Sequence, residues 1–527
     1  MCSMGFGRLG QLLAQSCSFS CSAPTLLATS TTKTNVIRTS VSVCCQIALR
    51  NVRSNSIVDV NGSRRNDCST NQLIRRIRRC GPIFPANFYS RYSASTIMTS
   101  YCKELNFDEY EIIGFDLDGT LLRYNIHEMT ILIYNVLRRY LVEERGYSKQ
   151  LLEQSLNVDF LQKGLFLDGP RGNVLKLGKN ATILRATHGT RRLTDEEIVS
   201  IYGAERQWNV TSNFYQDPLS TWNGVPADQM RALLDYFDMP AAMVFAQAVD
   251  QVDKEQRQQE EYQVWRDLQA ALMHSYNRDH FSNDISSYFK DMKAEPQKYV
   301  LKTSPKVINW LEQLRSNGKK LFLLTGSNID FANLTATQAL GENWRNLFDI
   351  VVTYAKKPGF FTSTRPFLKV NASELKELSQ SEQPADSHLS MNEIYSQGNW
   401  HQLHNSLAHQ LQKPSANVKA LYFGDNIIQD VYTPVAHRDF DAVAIAEEML
   451  VQDSEYPYKK EVGSGLWGSY FSVESTPTIW SDFICNFAQI CVPSMDHLAQ
   501  TPPNKRILCT NHIGFYPKMP KELESSI

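Results

Sequence analysis

Two aspartates separated by one residue lie in Phe115-Asp116-Leu117-Asp118-Gly119-Thr120, directly after the short run Glu111-Ile112-Ile113-Gly114-Phe115. At the end of a strand, side chains at i and i+2 share a face, and Gly119 permits a sharp turn just beyond them. Both carboxylates can therefore reach one pocket. One carboxylate can attack phosphorus to give an aspartyl-phosphate, while the other protonates the leaving oxygen and later activates water. This makes Asp116 the candidate nucleophile and Asp118 the candidate acid and base. A bare Asp-x-Asp-Gly also suits a turn or a calcium loop; the apolar run before it and Thr120 after it favour the catalytic reading.

Phosphoryl transfer further requires positive charge on the phosphate oxygens and acidic ligands for a cation. Three later segments supply these groups. Thr325-Gly326-Ser327 offers hydroxyls and turn amides to a phosphate. Lys357, in Ala355-Lys356-Lys357-Pro358, can offset the charge of nucleophile and phosphate. Gly424-Asp425-Asn426, with Asp430 five residues after Asp425, offers oxygen ligands for Mg²⁺ alongside Asp116 and the backbone carbonyl of Asp118. Singly each segment is ordinary, but together and in this order they describe one site.

The elements that must position these groups can be read from hydrophobic runs. Besides the run ending at Asp116, strand patterns occur at 320–326, 348–353, 420–425 and 441–445. Between them lie helical patterns such as Ser304 to Leu314, with Ser304 as N-cap and Pro305 at the first helical position. Alternating strands and helices predict an α/β, Rossmann-like doubly wound parallel sheet with ligands at the strands' carboxyl ends. About 200 residues separate the first two strands, too many for a crossover, so an inserted, mostly helical cap is expected. The expected division is a core over 101–126 and 301–450, a cap over 127–300, and an extension over 451–527 packed on the core. Within the cap, 196–202 and 230–252 read as helices and 172–185 as a hairpin turning at Gly178-Lys179-Asn180. Residues 373–390 read as a surface loop.

These four segments resemble the four motifs of the haloacid dehalogenase-like superfamily. The resemblance extends to the cytosolic purine 5'-nucleotidase family and is closest to its 5'-nucleotidase domain-containing branch. It is carried by Gly114 to Asp118, Lys163-Gly164-Leu165 through Gly172 to Lys176, His188-Gly189-Thr190, Lys357 to Phe361, Tyr395 to Asn399, and Phe423-Gly424-Asp425, within about 104–490. It implies the residue roles given above, a Mg²⁺ cofactor, and a cap over the substrate's nucleoside end. Asp250 falls roughly where characterised relatives place a substrate-contacting acid. Arg185, His188, Arg191 and Arg192 form a basic group in the cap that could receive a polar substrate end or serve as a solvated face. The second motif reads Thr-Gly-Ser-Asn here and looks more like Thr-Asn-Ser-Asp in the purine nucleotidases, and 211–223 has no clear counterpart in them. The implied activity is a phosphoric monoester hydrolase, a 5'-nucleotidase on nucleoside monophosphates. A phosphatase for another small phosphorylated metabolite, or a binding protein with a retained site, stays open.

Composition bounds the partners. A formal net charge of -1 argues against nucleic acid, and no 20-residue apolar run suggests a membrane span. A small-molecule phosphate ester is the expected partner, and a homo-oligomer stays open. Residues 1–100 contain twelve Lys/Arg and only Asp59 and Asp67 as acids, the composition of a mitochondrial transit peptide or of a disordered basic leader. Met98 would start a shorter, cytoplasmic form. Of eleven cysteines, seven fall in the leader, leaving Cys102, Cys485, Cys491 and Cys509, with no zinc spacing and no disulfide framework.

Overall fold

The computed structural model describes residues 104–221, 224–255, 261–378 and 388–508. The leader, with its targeting expectation and Met98, lies outside the described residues, as do Cys102, Cys509, parts of 211–223 and 373–390, and the end of the extension.

Fourteen strands form the two principal sheets. The first, β1 (Ile112–Phe115), is followed in the insertion by β2 (Phe166–Asp168), β3 (Asn173–Leu177), β4 (Ile183–His188), β5 (Arg191–Arg192) and β6 (Met230–Ala232). The core resumes with β7 (Lys320–Leu324), β8 (Ile350–Thr353), β9 (Phe367–Asn371), β10 (Lys376–Glu377), β11 (Glu393–Gln397), β12 (Ala420–Gly424), β13 (Phe440–Ile445) and β14 (Ile490–Val492). The core sheet runs β10-β9-β11-β8-β7-β1-β12-β13-β14. From β11 to β14 every pairing is parallel, while β9 and β10 close one edge antiparallel. This is the expected doubly wound α/β architecture.

Alternation along the central strands fills both faces. Ile113, Phe115, Leu321, Leu323, Leu421 and Phe423 point into one apolar core. Their neighbours Ile112, Phe322, Leu324, Ala420 and Tyr422 enter a second core on the opposite face. Helices cover the sheet, among them Pro305–Ser316, whose Ser304 side chain accepts from the Lys306 amide at 3.2 Å. Register sets the site. Phe115 lies level with Phe423 on one side and Leu323 on the other, so Asp116, Asp425 and Thr325 all emerge at the same carboxyl edge.

The insertion carries helices and a five-stranded antiparallel sheet in the order β5-β4-β3-β2-β6. Its hairpin β3–β4 turns through Gly178 to Thr182, with Asn180 at φ 58°. Residues 230–252, expected as one helix, divide into β6 and a helix over Ala241–Lys254. Pro240 has no amide to continue an upstream helix, and Met230 to Ala232 instead pair with β2. The extension does more than pack on the core, since Ile490–Val492 is a strand of the core sheet, paired with β13. Its helix Ile479–Phe487 joins a core shared with the insertion, where Trp480 stacks on Phe166 at 5.5 Å.

Candidate active site

The Asp116 amide donates to the Phe423 carbonyl at 2.8 Å, fixing the first residue past β1 against its neighbour strand. Gly119 then turns the chain at φ 76°, and a Cβ there would lie 2.6 Å from the Asp425 carboxyl group. Only glycine meets both conditions. The turn presents Asp116 and Asp118 to one cavity, whose lining includes Lys357, Asp425, Gly326 and Tyr124.

The two carboxylates have different partners. Asp116 Oδ1 lies 2.8 Å from Lys357 Nζ, which also contacts Asp430 Oδ1 at 2.7 Å. Asp118 faces hydroxyls: Tyr124 donates to Oδ1 at 2.5 Å, and Ser327 and Thr325 donate to Oδ2 at 2.9 and 3.3 Å. One acid is thus held against Lys357, and the other accepts from three hydroxyls. Burial pushes Asp116 up to about 7, with the Asp430 and Asp118 charges adding to it and Lys357 opposing. Burial also raises Asp425 well above the carboxylate range, against the pull of Lys163. Lys357 is delivered by a strained loop in which Tyr354 and Lys356 adopt φ 45° and 54°.

Asp430 reaches the same spot through a π-helical turn over Ile427–Tyr432. Such turns recur at functional sites because the extra residue re-aims a side chain. The approach is tight, since a Cβ on Gly424 would fall 2.2 Å from Asp430 Cβ. Asp116, Asp425 and Asp430 each offer a carboxylate oxygen, all within 4.8 Å of one another and all buried. An all-oxygen, anionic donor set suits a hard divalent cation rather than zinc, which favours nitrogen and sulfur. Asp430, expected with Asp425 as an oxygen ligand, is the third corner of this cluster. The contact expected of Asp118 with the cation is its backbone carbonyl; its side chain accepts from Tyr124, Ser327 and Thr325.

Of the phosphate-binding expectation, Gly326 lines the cavity, while the buried Thr325 and Ser327 hydroxyls point at Asp118. Thr120 is buried, and its hydroxyl has no hydrogen-bond partner among the described residues. The cap residues lie elsewhere, and none of the three lines the cavity. Asp250 accepts from the amide and hydroxyl of Thr190 at 3.0 and 2.5 Å, Arg185 donates to the Leu466 carbonyl at 2.7 Å, and His188 bonds Asn173 and Asp253. The insertion instead contributes Asp235, Tyr236 and Phe237 to the lining, and the core adds Asn426 and Gln429. The sequence carried no motif for the first three, which lie within the stretch expected as a helix and fold instead as a turn before Pro240.

A model of the 5' nucleotidase family matches residues 100–461. Human (Homo sapiens) 5'-nucleotidase domain-containing protein 1 is 34% identical over 454 residues, covering 79% of this chain and 96% of that protein. Its Bos taurus counterpart is 33% identical over 452 residues, with the same coverage. Human 5'-nucleotidase domain-containing protein 2 is 25% identical over 354 residues, 66% of this chain and 62% of that one. A haloacid dehalogenase-like family hydrolase from Streptococcus pneumoniae aligns with 64% of this chain and 86% of its own at 13% identity, with a TM-score of 0.22.

Proposed function

Given that this chain belongs to the 5' nucleotidase family and is a phosphoric monoester hydrolase, we propose that it hydrolyses nucleoside monophosphates with Mg²⁺, through an aspartyl-phosphate on Asp116. The observation that carries this reading is the division of labour between two carboxylates in one cavity, Asp116 against Lys357 and Asp118 among hydroxyls.

In the first step an Asp116 oxygen attacks phosphorus and the bond to the leaving oxygen breaks. Asp118 gives that oxygen its proton. Lys357 offsets the charge gathered between nucleophile and phosphate. In the second step Asp118 takes a proton from water, which attacks the acyl phosphate and releases inorganic phosphate and the Asp116 carboxylate. Tyr124 and Ser327 hold Asp118 in place through both steps. Asp116, Asp425 and Asp430 would hold the cation, which when bound neutralises the phosphate oxygens. Asp235, Tyr236 and Phe237 line the cavity from the insertion and are the groups placed to meet the leaving alcohol.

The test is Mg²⁺-dependent phosphate release from nucleoside monophosphates and sugar phosphates by wild type and Asp116→Asn. A loss of at least ~100-fold is expected when a covalent nucleophile is removed. Equal release by the two proteins would refute the mechanism, and a preference for sugar phosphates would refute the substrate.

A further inference from the structure

Lys163 lies in the insertion just before β2, with its side chain 2% exposed and two carboxylates at unequal distances. Its ammonium is 3.1 Å from Glu448 Oε1 but 4.0 Å from Asp425 Oδ2. Glu448 itself is fixed from a second side, since the Tyr236 hydroxyl donates to the same Oε1 at 2.9 Å. The Tyr236 and Tyr470 rings flank the ammonium, with Nζ 5.0 and 5.5 Å from their centroids. Behind Lys163, the Trp480 indole donates to the Gly164 carbonyl at 2.7 Å, so the backbone that carries the lysine is anchored as well.

The inequality matters because Asp425 is one of the three acids that form the cluster. An ammonium in contact with a carboxylate oxygen competes with a metal ion for that oxygen; Lys357 already takes Oδ1 of both Asp116 and Asp430, leaving each its second oxygen, whereas the nearest ammonium to Asp425 among the described residues is Lys163 at 4.0 Å. Glu448 takes the contact instead, leaving Lys163 close enough to lower the local negative charge but outside contact with Asp425. We infer that Glu448 is a positioning residue that keeps Lys163 off Asp425, so that Asp425 stays available to a divalent cation, and that Tyr236 sets the position of Glu448. The inference rests on the cation in the proposed function. It also ties the cation site to the insertion, because Lys163 and Tyr236 both come from it and Tyr236 lines the substrate cavity.

The test measures Mn²⁺ binding to the full chain by the loss of the free-ion electron paramagnetic resonance signal, with no substrate present. In Glu448→Gln the amide oxygen accepts from the ammonium without the charge that held it, Lys163 shifts toward Asp425, and Mn²⁺ is expected to bind about tenfold more weakly, the scale of one charge-assisted contact. Removing the competitor in Glu448→Gln/Lys163→Met is expected to restore affinity to within about threefold of wild type. A merely structural Glu448 predicts the opposite, with the double variant worse than the single one. Tyr236→Phe, which keeps the ring, is expected to weaken binding in the same direction by a smaller factor. Wild-type affinity in Glu448→Gln, or weaker binding in the double variant than in the single, overturns the inference. A wild-type chain that binds no Mn²⁺ overturns it together with the cation reading, whereas loss of the Glu448 effect alone leaves that reading standing.

Discussion

Replacing Lys357 by Met removes an ammonium that contacts both Asp116 and Asp430, at 2.8 and 2.7 Å. With an effective dielectric constant of ~20, each contact represents roughly 6 kcal/mol of Coulomb attraction, much of it offset by the desolvation of the buried lysine. What decides the outcome is the two carboxylates left behind in a buried site. Stranding buried charge by deleting one partner costs about 3–5 kcal/mol. Asp116, pushed up to about 7, can take a proton near neutrality, which places the expected loss near the lower end, about 3 kcal/mol. The assay is urea unfolding at pH 7 followed by tryptophan fluorescence, comparing wild type, Lys357→Met and Lys357→Met/Asp430→Asn. The double variant strands one acid instead of two and is expected to recover more than half of the loss. A single variant within about 1 kcal/mol of wild type, or a double variant less stable than the single, would refute the view that Lys357 neutralises the pair.

Tyr124→Phe removes a 2.5 Å hydrogen bond to Asp118 and is expected to lower kcat about tenfold with KM nearly unchanged, since hydrogen bonds to charged groups contribute ~1.5–3 kcal/mol; a change confined to KM would contradict its role in holding the acid. Trp480→Ala empties a buried site stacked on Phe166 and is expected to cost about 3–5 kcal/mol in urea unfolding, with a loss under about 1 kcal/mol counting against the shared core. If residues 1–97 work as a transit peptide, a fluorescent reporter carrying them enters mitochondria, and a diffuse cytosolic signal would rule against that reading.

The sequence alone determined the parts whose signals are local. Strands such as Ile112–Phe115 and Ala420–Gly424 announced themselves because a buried parallel strand is a continuous apolar run. Acids and hydroxyls at the ends of those runs identified Asp116, Asp118, Thr325 and Asp425 as candidates, because doubly wound sheets gather ligands at their carboxyl edge. Where local signals conflicted or were too short, the reading failed: Met230 to Ala232 lay inside a helical period, and the three-residue strand Ile490–Val492 gave no period at all. The tertiary structure decided how closely these acids gather. Asp430 becomes the third corner because a π-helical turn brings it beside Gly424, whereas Asp118 turns to Tyr124 and Ser327. Tertiary packing likewise joined Tyr236 to Glu448 across 212 residues of sequence, and Lys163 to Glu448 with Asp425 4.0 Å away. Periodicity reports which face of an element is buried; it carries no information about which distant side chain will be buried against it, and for charges that choice of partner sets the chemistry.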